Sequence, residues 1–172
     1  MKNLLIIITL FIAIGAKAQG PNFSLSNSKI TWKKVYETTK TKTEIIKHYE
    51  ASGIFSKFEV IEDTIFAILT PHKTDPDKTG TAGVPTYINK TDFKGKVIIQ
   101  LKDGKYRVIF NEIILIGRGD FLKKKEEKPF EEYTVRRDKS QYTPGFLKKP
   151  SRIYDATFNE IFLIKTKKKD DW

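Results

Sequence analysis

The sequence predicts a two-layer α+β domain, an antiparallel sheet with helices packed on one face, in the order β-α-β-β-β-β-α. Three observations carry this. Runs with period-two alternation or β-branched and aromatic enrichment dominate residues 29–116. One helix with a complete N-terminal signal interrupts them near the start, and a stretch with helical spacing closes the chain. The composition agrees: 39% hydrophobic and 12% aromatic residues exclude a disordered chain, although 31% of residues are charged. A length of 172 residues fits one domain.

Before the domain comes an address. Lys2 supplies a positive start, Leu4 to Ile14 is an apolar run broken only by Thr9, and Ala16-Lys17-Ala18 offers small residues for a signal peptidase. Residues 1–18 therefore read as a secretory signal peptide, cleaved between Ala18 and Gln19. The apolar run is too short to span the roughly 30 Å of a bilayer core as a helix. The expected mature chain, Gln19–Trp172, has 154 residues, a charge of +9 and no membrane span. The expected location is the periplasm or the cell exterior. The sequence has no cysteine, which excludes disulfides, thiol nucleophiles and thiolate metal sites.

After an N-terminal lead at 19–28, a core is expected over 29–117. Ile30, Trp32 and Tyr36 share one parity and mark a strand at about 29–37. Thr41 precedes Glu44 by three residues, the capping-box arrangement, and Ile45, Ile46 and Tyr49 then share a helical face up to Gly53, so a helix is expected at about 42–52. Lys57–Ile61 and Thr64–Thr70, separated by Glu62-Asp63, read as a hairpin. Residues 71–92, with Pro71, Pro76, Pro85, Gly80 and Gly83, read as a long loop. Gly95–Leu101 and Tyr106–Ile116 flank Asp103-Gly104, a second hairpin in which both turn positions are expected at positive φ. Val108–Ile116 is apolar on both parities, which predicts a central strand covered on both faces over part of its length. Residues 118–152 form an irregular charged segment with a short element near 130–137. Ile153, Tyr154, Phe158, Ile161 and Phe162 predict a C-terminal helix at 153–168, with Asp155 in its first turn, Lys165 at its end and a tail at 169–172.

This order of elements, opened by Ile30-Thr31-Trp32 and including Gly95-Lys-Val-Ile-Ile and Lys102-Asp-Gly-Lys-Tyr-Arg-Val108, resembles exported bacterial proteins of unknown function that carry a TATA-binding-protein-like (TBP-like) domain. The resemblance covers residues 29–116 and extends to the last helix. It implies a curved sheet and an exported location, but no activity and no functional residues. The name of that fold implies no DNA binding, because function lives in sites and not in folds.

The chemistry-bearing residues are few. His48 lies on the expected first helix beside Tyr49, where packing explains it. His72, with Asp75 and Asp77 in the 71–92 loop, invites a metal or general-base reading. The Asp-Pro-Asp spacing, however, lacks the downstream Glu of a calcium loop. No nucleophile elbow, zinc-protease helix, phosphate loop or dinucleotide fingerprint occurs. No catalytic, cofactor-binding or metal-binding residue is therefore assigned, and no cofactor is expected.

Lys outnumbers Arg 27 to 5, with +4 on residues 19–117 and +5 on 118–172. The runs Lys123–Lys125 and Lys167–Lys169 are each followed by acids, which marks solvated faces and not a nucleic-acid reader. Trp32, Tyr36, Phe66, Tyr106 and Phe110 fall on strands, and any of them left exposed beside Lys would suit sugar rings or a partner protein. The expected function is a non-enzymatic exported binding or accessory module whose partner is a protein or glycan of the cell envelope. The alternative is a small hydrolase or metal-dependent ligand-binding protein using the 71–92 loop.

Overall fold

The structure is a computed structural model and describes residues 22–165. The signal peptide and the 169–172 tail lie outside the described residues. Seven strands, β1 (Phe23–Ser26), β2 (Lys29–Glu37), β3 (Phe55–Ile61), β4 (Thr64–Lys73), β5 (Thr91–Lys102), β6 (Lys105–Gly117) and β7 (Glu127–Pro129), form one antiparallel sheet. Its order is β1-β2-β6-β5-β4-β3, with β7 added beside β6. The helices are α1 (Lys42–Ala51), α2 (Thr86–Asn89), α3 (Glu131–Thr134), α4 (Pro144–Lys148) and α5 (Pro150–Phe162). The result is α+β with a curved antiparallel sheet.

The first helix forms as its sequence dictates. The Thr41 side chain accepts from the Glu44 N–H while the Glu44 carboxylate accepts from the Thr41 N–H, and Gly53 follows the last turn at φ 68°. Alternation then decides which strand face is buried. Ile30, Trp32 and Tyr36 on β2, Val97, Ile99 and Leu101 on β5, and Tyr106, Val108 and Phe110 on β6 all point to the helices.

Against this face lies α5. Phe158 sits 4.9 Å from Phe110, 5.0 Å from Phe93 and 5.7 Å from Trp32 between ring centroids, each in an edge-on arrangement that satisfies the ring quadrupoles. The end of α5 has no basic residue and no glycine cap. Tyrosines from other elements meet its last carbonyls instead, although the Asn159 carbonyl also accepts from the Leu163 N–H. The hydroxyls of Tyr49 and Tyr106 both donate to the Phe162 carbonyl, at 2.7 and 2.9 Å, and that of Tyr36 donates to Asn159 at 3.4 Å. Near the start of the helix, Asp155 accepts from the Trp32 indole at 2.8 Å and from Asn22 at 2.7 Å.

A bulge sets how far this core extends. Lys94 faces Ile114 but Lys96 faces Asn111, so Gly95 opposes an extra residue on β6, where Glu112 adopts φ 47°. The parity flips there, and Ile113 and Leu115 join the core face. A Cβ on Gly95 would lie 2.7 Å from the Phe110 ring and 2.8 Å from the Asn111 carbonyl, so the close approach requires glycine.

Several sequence expectations are corrected. The 19–28 lead contains β1, which pairs with β2 through a two-residue turn, Asn27-Ser28, with both residues at positive φ. The Asp103-Gly104 turn has positive φ at Gly104 but not at Asp103, because the turn demands it only at its second position. The 71–92 loop is shorter: β4 runs on to Lys73, a 3-10 turn covers Pro76–Thr79, and α2 buries Ile88. The 118–152 segment holds β7, α3 and α4, which bury Phe130 and Phe146 against Tyr154 and Phe23. The last helix spans Pro150–Phe162 and not 153–168. Pro150 fits its first turn, Leu163 turns extended, no acid lies in the first turn, and Lys165 falls beyond the end.

Truncation of Phe158 to alanine is expected to cost about 3–5 kcal/mol in urea unfolding, since it removes the ring that every neighbour in this seam touches. Burial raises the phenol pKa values of Tyr36, Tyr49 and Tyr106 above their ordinary value near 10. These groups stay neutral in the fold where the unfolded chain ionises. Their contribution to stability should therefore be complete below about pH 10 and be lost as the pH rises above it, which urea midpoints on an alkaline series will show.

Candidate functional site

The residues that suggested chemistry do not converge. His72 lies on β4, opposite Phe93, with Nδ1 2.7 Å from the Thr70 carbonyl oxygen, so that nitrogen donates to the main chain. His72, Asp75 and Glu160 share the wall of one shallow groove. Lys78 occupies its anions, lying 3.4 Å from the Asp75 carboxylate and pairing with Glu160 as well. The Lys78 ammonium holds the Glu160 carboxyl below the usual carboxylate range. Asp77 stands outside that groove. Among the described residues, no group of three or more His, Asp or Glu is placed to hold a metal. His48 is exposed on α1 and packs edge-on against Tyr49.

Of the five strand aromatics, Trp32, Tyr36, Tyr106 and Phe110 are buried beneath the helices, and Phe66 alone is exposed, at 40%. Phe66 points to the opposite face of the sheet, on which no described helix packs. That face is not covered over part of β6 as its double-parity sequence suggests. Ile109 and Ile114 are half-buried there by strand neighbours and long side chains.

Register fixes what this open face displays. Across β2, β6, β5, β4 and β3 one row reads Lys33, Ile109, Ile98, Phe66 and Glu59. The row on one side reads Val35, Arg107, Gln100, Thr64 and Ile61; on the other it is Thr31, Asn111, Lys96, Ile68 and Lys57. The apolar side chains form a central strip with basic groups along it. Arg107 is tied to Gln100 by two hydrogen bonds of 2.8 and 2.5 Å, and Lys96 pairs with Glu112 at 2.8 Å. Among the described residues, Lys33 and Lys57 enter no ion pair. A shallow trough of about 690 Å³ runs over Phe66, Ile68, Ile98 and Lys96.

Sequence reasoning placed Phe66 on a strand but not on a face. The signal was present in β5, where Val97, Ile99 and Leu101 alternate with Lys96, Ile98 and Gln100. It was masked in β4 and β6, where both parities are apolar. The Lys123–Lys125 run lies in the tight turn after β6, where Glu126 accepts from the Lys123 N–H, and Lys167–Lys169 lies outside the described residues.

The fold and face together define a one-sided α+β sheet domain. Two solved structures are similar to it. A TBP-like protein from Parabacteroides distasonis ATCC 8503 matches with 20% identity and a TM-score of 0.48, over 80% of this chain and 88% of that one. A DUF4468 family protein from Bacteroides ovatus ATCC 8483 matches with 13% identity and a TM-score of 0.49, over 86% of this chain and 94% of that one. Neither is named for an activity or a ligand. No protein-family model matches the chain, and no curated protein does. No helix among the described residues is long and apolar enough to cross a membrane.

Adjacent residues on β5 separate the two faces. Ile99→Lys should prevent folding or cost more than about 4 kcal/mol, because it buries an unpaired ammonium. Ile98→Lys, one position along on the open face, should cost about 1 kcal/mol or less. Thermal melts of the two variants side by side make the comparison.

Proposed function

We propose that this is a non-enzymatic, exported binding module whose open sheet face docks a protein of the cell envelope. The observation that carries this reading is the strip of Ile109, Ile98 and Phe66 on an uncovered face, flanked by Val35 and Ile61, which are each 51% exposed. A domain with a complete core on its other side has no packing use for these groups, and contiguous exposed apolar surface marks interaction sites. A protein partner fits better than a sugar. Glycan binding relies on aromatic platforms, and this face offers one phenylalanine and no tryptophan or tyrosine in its three central rows. The free ammonium groups of Lys33 and Lys57 favour a partner surface with acidic flanks. Export through residues 1–18 is part of the proposal, supported by the sequence pattern alone.

The test uses the mature chain, 19–172, as bait on an envelope fraction. Expected is a defined protein retained by the wild type and by Arg152→Glu, whose side chain is exposed on α5, but lost with the double variant Phe66→Ser/Ile109→Ser. Equal retention by all three, or a measured turnover with no retained protein, would overturn the reading.

A further inference from the structure

The sheet ends at β3, whose outer side no described strand pairs. This edge is unusual in its exposure. Of the six large hydrophobic residues that the described chain exposes, Val60, Ile61 and Phe66 lie together on the β3–β4 hairpin, at 39%, 51% and 40%. The opposite edge, β1, is four residues long and carries Ser24 and Ser26, whereas β3 is seven residues long and contains no proline. An unpaired edge of that kind is a template for another strand.

Lys57 and Glu59 decide what that strand is. Both are exposed, both lie on the open face, and among the described residues neither enters an ion pair. They stand two positions apart on one side of one strand, with Phe58 between them. A second copy of β3, added antiparallel about a two-fold axis at Phe58, sets Lys57 of each chain opposite Glu59 of the other. Two attractive cross-strand pairs then form from one residue pair. Shifting the axis to Lys57 or to Glu59 sets like charges directly opposite and is disfavoured. A lone edge lysine repels further strands, but this lysine comes with its own complement in the position a two-fold axis requires. The register shift beside Ser56 limits the regular pairing to the stretch around Lys57, Phe58 and Glu59, where the charges sit.

We infer that the protein self-associates through β3, as a two-fold dimer with one continuous sheet and with Lys57–Glu59 pairs setting the register. The interface is isologous and closes on itself, so it gives dimers and not fibres. It also joins two open faces side by side, presenting a doubled surface whose halves can engage a repetitive or paired partner with raised avidity.

Sedimentation of the mature chain, from low micromolar to submillimolar concentrations, tests this directly. The wild type should move from monomer to dimer mass. Lys57→Glu alone and Glu59→Lys alone should each weaken association by at least about tenfold, through like-charge contacts across the axis. An equimolar mixture of the two variants should dimerise again, because one chain then carries two acids and the other two lysines. The double exchange Lys57→Glu/Glu59→Lys should restore self-association, and it keeps the test decisive should one single variant fail to fold. A wild type that stays monomeric throughout, or single variants that dimerise as the wild type does, would overturn the inference. Loss of dimerisation with retained capture of the envelope protein would leave the binding reading standing.

Discussion

The edge-on contact between Phe158 and the rings of Trp32, Phe93 and Phe110 is the interaction on which the rest of the structure depends. It joins the last helix to three different strands, β2, β5 and β6, and so decides which sheet face is the inside. Rings packed this way bury large areas in a fixed geometry, and the domain has no disulfide to share the task. The tyrosine hydroxyls complete the arrangement. Tyr49, Tyr106 and Tyr36 reach from α1, β6 and β2 to the carbonyls at the end of α5, so the helix is held at its side by packing and at its end by hydrogen bonds. The Phe162 carbonyl, left without Tyr49 and Tyr106, would be buried and unpaired, which costs more than the bonds contribute.

The bulge at Gly95 and Glu112 carries the same core into the second half of the chain. Without the parity change, Ile113 and Leu115 would point to the open face, and the segment after β6 would find no apolar surface to pack on. With it, Phe130 and Phe146 close over Phe23 and Tyr154, and residues that look irregular and charged in sequence become a lid on one end of the core. The consequence for function is asymmetric. The large buried aromatics belong to the helix side of the sheet, and what is left for the other face is aliphatic, charged and reachable, with Phe66 as its one aromatic in the central rows.

The sequence made most of this fold legible where a local rule has one outcome. The capping box at Thr41 and Glu44 placed α1 to within a residue, and the alternation of Ile30, Trp32 and Tyr36 placed β2 without error. Strand β1 was hidden because four residues give too little alternation and its turn, Asn27-Ser28, lacks the expected glycine. The end of α5 was read too late because helical spacing shows where a face continues, not where the backbone leaves it; Leu163 is apolar yet extended. The open face was only half legible. Which parity is buried on β4 and β6 depends on Phe158 arriving from a distant part of the chain, and no local pattern encodes that arrival. The cluster of His72, Asp75 and Asp77 shows the reverse, since neighbours in sequence became partners of Lys78 and of the main chain instead of one another's.

The central claim is that one face of the sheet is sealed by the aromatic seam and the other is open. Hydroxyl-radical footprinting of the mature monomer, read by mass spectrometry at individual phenylalanines, tests it with intrinsic reactivity held constant. Phe66 should oxidise rapidly while Phe93, Phe110 and Phe158 stay protected until the chain unfolds. Oxidation of Phe110 or Phe158 as fast as that of Phe66, or protection of all four alike in the monomer, would contradict it.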